Sequence, residues 1–122
     1  MATPVPLYRL GRLLALLRLK RLALRAFGRL TRADPRHREA WSCAGFLLAE
    51  RGRLEEALGA FEHARALEPG DARAHFNIAF LQQRLGRDAE ALEGFRRSLE
   101  LDPGLQRAER ALAHSLERLG RA

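Results

Sequence analysis

The sequence is poor in several things, and each shortage excludes something. Cys43 is the single cysteine, so no internal disulfide can form and no thiolate metal cluster can assemble; a reducing compartment, here the bacterial cytoplasm, is the expectation. Lys20 is the single lysine among 22 basic residues, a bias of the kind a GC-rich coding sequence produces, and no function is drawn from it. Aromatics make up only 7%. No apolar run approaches the roughly 18 residues a spanning helix needs; Arg12, Arg18, Lys20, Arg21 and Arg25 interrupt the leucines of residues 7–30. A secretory signal would carry its charges ahead of an unbroken apolar core, which is not present. A mitochondrial presequence would share the Arg-rich, acid-poor character of this segment but would also contain serine, and it is the weaker alternative to a place in a repeat.

Chemistry is sparse as well. His37, His63, His75 and His114 form no i, i+4 pair that could grip a metal ion. Cys43 has no histidine at a helical neighbour, as an activated thiolate would require. Glu55, Glu56, Asp88 and Glu90 fall where first helical turns are expected and read as dipole and solubility residues. With no phosphate-cradling glycine loop, the sequence predicts no catalytic residue, no metal and no cofactor.

What is present is charge, unevenly placed, and a period. Residues 1–37 hold nine basic side chains against Asp34 alone, a local net of +8, whereas residues 38–122 net −1. The basic character belongs to the N-terminal segment and says nothing about the rest of the molecule. Arg18, Arg21, Arg25, Arg29 and Arg32 step by three or four, which lays a cationic stripe along one helical face.

The chain is punctuated as a series of helices. Asp34-Pro35, Pro69-Gly70 and Asp102-Pro103-Gly104 close helical patterns, and Gly52 and Gly86 suit left-handed helix ends. Asp71 is placed to cap a helix beginning at Ala72. Residues 12–27 contain no glycine, proline or asparagine, so local propensity there would accept one long helix. No stretch alternates with period two, and no strand is expected.

The period is 34 residues. Trp41, Ala44, Gly45, Leu48, Ala57, Phe61, Ala64 and Pro69 return as His75, Ile78, Ala79, Gln82, Ala91, Phe95, Ser98 and Pro103. One period earlier stand Leu7, Leu10, Gly11, Leu14, Ala23, Phe27, Leu30 and Pro35. Eight slots met three times resemble the tetratricopeptide repeat, a helix–turn–helix unit with a large and a small residue in its first helix and Ala and Phe in its second. The resemblance implies an all-α fold: a helix–turn–helix repeat solenoid, or α-α superhelix. It has repeats at 4–37, 38–71 and 72–105, a capping helix at 106–120, and one domain over 1–122. The persistence of the packing slots on both sides of residue 18 favours a hairpin over one long helix in the first repeat.

In that family the first helix of each repeat lines a concave groove that accepts peptide segments. The resemblance therefore implies a non-catalytic scaffold or adaptor whose groove is formed by Arg12, Phe46, Arg73, Phe76, Asn77, Phe80, Arg84, Arg107, Arg110 and His114. Phe46, Phe76 and Phe80 would expose aromatic area outside the packing slots. Asn77 matches the slot whose amide holds a bound backbone, and the arginines offer forks for carboxylates. The expected occupant is an acidic segment with apolar anchors. The family's chaperone-tail clamp is not expected, since Ser42, Phe46 and Ala111 replace its polar and basic residues. Attachment of the basic stripe to anionic membrane, nucleic acid or an acidic protein surface is the alternative, and self-association through terminal helices is a third reading.

Overall fold

The computed structural model describes residues 4–120, with side chains from Leu7. All regular structure among these residues is helical, in seven segments, and they fall into two compact units, one through Leu67 and one from Glu68.

The first unit contains α1 (Pro4–Leu16), α2 (Lys20–Ala33), α3 (Arg38–Glu50) and α4 (Leu54–Leu67). Residues 7–31 thus form a hairpin, and the turn explains how a sequence with no breaker breaks. The Leu19 N–H donates to Leu14 O at 2.9 Å, the Arg53 N–H to Leu48 O at 2.9 Å. This is the same six-residue closure, which needs a left-handed residue just ahead of the donor. Gly52 supplies it at φ 77°, and Arg18 is forced into it at φ 61°. The packing of α1 on α2 overrides the propensity of the intervening residues.

Phe27, Phe61 and Phe95 are essentially inaccessible, each burying an apolar area that stabilises by about 2–3 kcal/mol. Phe27 shares its cluster with Ala23, Leu30, Ala40, Ala44 and Leu47, so it joins the α1–α2 hairpin to α3. The small residues are dictated by these rings. A Cβ at Gly11 would lie 2.8 Å from Phe27 Cζ, and one at Gly45 would lie 2.8 Å from Phe61 Cζ. The His37 imidazole caps α3 by accepting from the Ala40 N–H at 3.2 Å, and the Trp41 indole stacks on His63 at 4.1 Å.

The second unit contains α5 (Ala72–Arg84), α6 (Asp88–Leu101) and α7 (Gln106–Gly120). Asp71 caps α5 as its sequence position suggests, accepting from the Arg73 N–H at 3.0 Å. Gly86 ends the first helix of this unit at φ 79°, with Arg87 N–H donating to Gln82 O at 2.8 Å. Phe76, Ala79, Ala91, Phe95 and Ala108 form the core, drawn from all three helices.

Candidate functional site: an aromatic cleft and an arginine cleft

In the first unit the C-terminal half of α1 and the outward face of α3 enclose a cleft of about 580 Å³. Arg12, Leu16, Cys43 and Phe46 line it, with Phe27 and Leu47 behind them. Phe46 is 53% exposed, held with its ring edge-on to Phe61 at 5.0 Å and 80°. Arg12 lies 5.8 Å from the Tyr8 ring centroid. At the rim Lys20 Nζ is 3.7 Å from Glu50 Oε2. Burial pushes the Cys43 thiol above its ordinary pKa, opposed by the positive charge of Arg12 and a hydrogen bond with Tyr8. The cleft therefore holds a neutral thiol, an exposed ring and a cationic rim, which suit an apolar group bearing negative charge beside it.

A second cleft of about 430 Å³ lies on another part of the same unit. Its lining is Arg21, Leu24, Arg25, Gly28, Arg29 and Arg32 from α2, with Arg51 and Arg53 from the α3–α4 turn. The cationic stripe therefore divides. Arg18 borders the aromatic cleft, while the other four members face two arginines that the helical spacing did not reveal.

In the second unit the expected groove residues separate into two kinds. Arg73, Arg84, Arg107, Arg110 and His114 are exposed, Asn77 is half-buried, and Phe80 is 39% exposed. Phe76 corrects the expectation: it is 5% exposed. It packs against Phe95 at 5.7 Å, is stacked by Phe80 at 5.9 Å, and is covered by the Arg107 guanidinium at 4.9 Å. The sequence pattern put Phe76 outside the packing slots, but the arrival of α7 closes over it. What this surface offers is an exposed Phe80 and an exposed Arg107, each packed against the buried Phe76 ring.

The family model of the tetratricopeptide repeat matches residues 48–115, more than half of the chain. The chain belongs to the tetratricopeptide repeat family. Solved structures agree with this assignment. MamA from Desulfovibrio magneticus RS-1 superposes with a TM-score of 0.88 at 26% identity, covering 96% of this chain and 66% of that one. This tetratricopeptide chain thus spans about two-thirds of that MamA chain, which runs from its residue 41 to its end. YrrB, described as a tetratricopeptide protein with an unusual peptide-binding site, superposes at 0.83 and 29% identity over 91% of this chain and 57% of that one. The Yersinia enterocolitica type III secretion chaperone SycD, solved with a peptide of the translocator YopD, covers 100% of this chain and 97% of its own. Its TM-score of 0.90 at 19% identity speaks for the fold alone. Searching the curated proteins by sequence finds no match.

The tetratricopeptide scaffold also contains polar chemistry that its repeat pattern hid. Gln83 is buried and donates from Nε2 to Ala111 O at 3.1 Å and to Ser115 Oγ at 2.9 Å. Ser115 donates onward to Asp88 Oδ1 at 3.3 Å, and Arg118 Nη2 lies 3.3 Å from Asp88 Oδ2. Asp88 is therefore not the solvated first-turn carboxylate its position suggests. It is buried and ties α7 to α6. A polar residue facing a polar residue 27 positions on is invisible to a search for apolar periods. Among the described residues no group of three or more His, Cys, Asp or Glu side chains could hold a metal ion, and no helix is long and apolar enough to cross a membrane.

Proposed function

We propose that this protein is a non-catalytic adaptor that holds a partner's peptide segment, and that the aromatic cleft of the first unit receives its apolar anchor. The observation that carries the reading is Phe46: a large ring left more than half exposed in a cleft edged by Arg12, Arg18 and Lys20. Leaving such a side chain in water forgoes about 1–2 kcal/mol of burial, which a docked side chain recovers. The cationic rim favours acidic residues beside that anchor. In the second unit Phe80 and Arg107, with Asn77, Arg73, Arg84, Arg110 and His114, offer a ring and guanidinium groups as well. YrrB, at 29% identity, is named for a peptide-binding site, which supports a peptide as the kind of partner. The lone thiol keeps the bacterial cytoplasm as our expected setting.

Selection of peptides from a displayed random library, followed by titration of the winners, tests this. Enriched peptides should carry an aromatic or aliphatic residue next to Asp or Glu. Phe46→Ala and Arg12→Glu should each weaken them about tenfold or more. Arg73→Glu with Arg107→Glu reports on the second unit. Enriched peptides that bind all of these variants equally would sink the reading.

A second reading rests on the N-terminal hairpin, where Leu10, Leu13, Leu17, Leu19 and Leu22 are exposed large apolar side chains. Such a face favours self-association. Sedimentation showing a monomer across a hundredfold concentration range would remove it.

A further inference from the structure

Six arginines converge on one small cleft, and that concentration demands a counter-charge. Arg21, Arg25, Arg29 and Arg32 form one wall, on α2, and Arg51 and Arg53 form the other. Arg53 already holds Glu56 in a two-point pair, Nε–Oε1 at 2.7 Å and Nη2–Oε2 at 2.8 Å. Among the described residues no carboxylate pairs with Arg21, Arg25, Arg29, Arg32 or Arg51. Elsewhere the surface does supply partners: Arg96 meets Glu93, and Arg97 meets Glu100. Exposed arginines on a convex helix spread apart into water, but these face one another across a concavity. Their mutual repulsion is relieved most by an anion placed between them.

We propose that this cleft binds a small ligand carrying several phosphate groups, independently of any peptide held in the aromatic cleft. Four observations select that class. The volume, about 430 Å³, is that of a small-molecule site rather than of an extended track. The lining contains no aromatic ring, so a nucleobase has nothing to stack on. Leu24 is its one large apolar member, which gives a peptide little to anchor. Finally, each phosphate monoester brings nearly two negative charges and oxygens in the geometry of the guanidinium fork, whereas a carboxylate brings one. Two or three clustered phosphates neutralise the five unpaired guanidiniums; a single carboxylate does not.

The arginines are exposed, so the chain tolerates their replacement. Titration calorimetry with inorganic tripolyphosphate and with inositol hexakisphosphate, at physiological salt, should show saturable one-site binding. Arg25→Gln and Arg51→Gln, one from each wall, should each weaken it by about tenfold. Arg9→Gln and Arg36→Gln, basic residues outside the cleft, should change it less than about twofold. Vesicles of phosphatidylcholine with and without phosphatidylinositol bisphosphate separate the sources. Capture by the phosphorylated vesicles, lost in Arg51→Gln, assigns the phosphates to a lipid headgroup; binding of the soluble anions alone assigns them to a free ligand. Three results overturn the proposal: no saturable binding of either anion or of the phosphorylated vesicles; equal losses in the Arg9 and Arg36 variants; or tighter binding of duplex DNA that is indifferent to Arg51→Gln. The last two would mark the arginines as a diffuse cationic surface.

Discussion

His75 Nε2 lies 2.7 Å from the carbonyl oxygen of Pro69, six residues back. One repeat earlier the Trp41 indole Nε1 donates across the same six-residue span to Pro35 O, at 2.8 Å. A carbonyl only accepts, so the His75 ring is held as the tautomer protonated on Nε2. The two residues share a slot because each can carry an N–H to the carbonyl that follows a helix end. In these two repeats the slot holds a flat ring with a donor.

His75→Phe should keep the ring and lose the bond, lowering unfolding free energy by about 1 kcal/mol. His75→Trp should come closer to the native value, because the indole restores the donor. Urea denaturation of both variants checks the order, which packing volume alone would not produce.

The small-residue contact between paired helices is conserved in sum and inverted in arrangement. Gly11 and Gly45 stand in first helices, with Ala26 and Ala60 in the second; in the third repeat Ala79 and Gly94 exchange these roles. A Cβ at Gly94 would lie 2.7 Å from Ala79 Cβ. Gly94→Ala should therefore cost about 1–3 kcal/mol through overpacking. Adding Ala79→Gly should recover much of that loss, leaving a strongly non-additive double-mutant cycle.

Arg18 occupies left-handed backbone at φ 61°, which costs a residue with a Cβ about 1 kcal/mol. Arg18→Gly matches Gly52 and Gly86 and should raise stability by several tenths of a kcal/mol to about 1 kcal/mol. A rise in the thermal midpoint with no change in helical circular dichroism is the expected outcome.

The Cys43 thiol is raised above its ordinary pKa by burial, with Arg12 and the Tyr8 hydrogen bond pulling down and Glu39 adding to the rise. A raised thiol pKa means less thiolate at any given pH. Alkylation by iodoacetamide at neutral pH should be slower than for a free cysteine, and its rate should still be climbing where the free thiol has levelled off. Arg12→Gln removes a lowering influence and should slow it further.

The scaffold was legible because it is written in repeated apolar and small residues: Phe27, Phe61 and Phe95 are buried where the period puts them. The tetratricopeptide resemblance followed from the same slots. The surfaces were harder. Phe46 and Phe80 emerge as exposed, but Phe76 disappears beneath α7 and Arg107. Spacing along one helix does not tell what a later helix will cover. Arg51 and Arg53 joined the cationic stripe only through the fold, since no periodicity connects a turn to a preceding helix.

Gln83, Ser115 and Asp88 stand where the previous repeat has Ala49, Leu81 and Leu54. The last helix is held by polar atoms that must find each other. Apolar helices of equal size can trade places at modest cost; this one cannot. Shifted from its place on α5 and α6, α7 would leave Ser115 without its partners and Arg118 without its carboxylate. The order of the helices is thus written into the second unit as a matched set of hydrogen bonds, and α7 fits only where Gln83 and Asp88 await it.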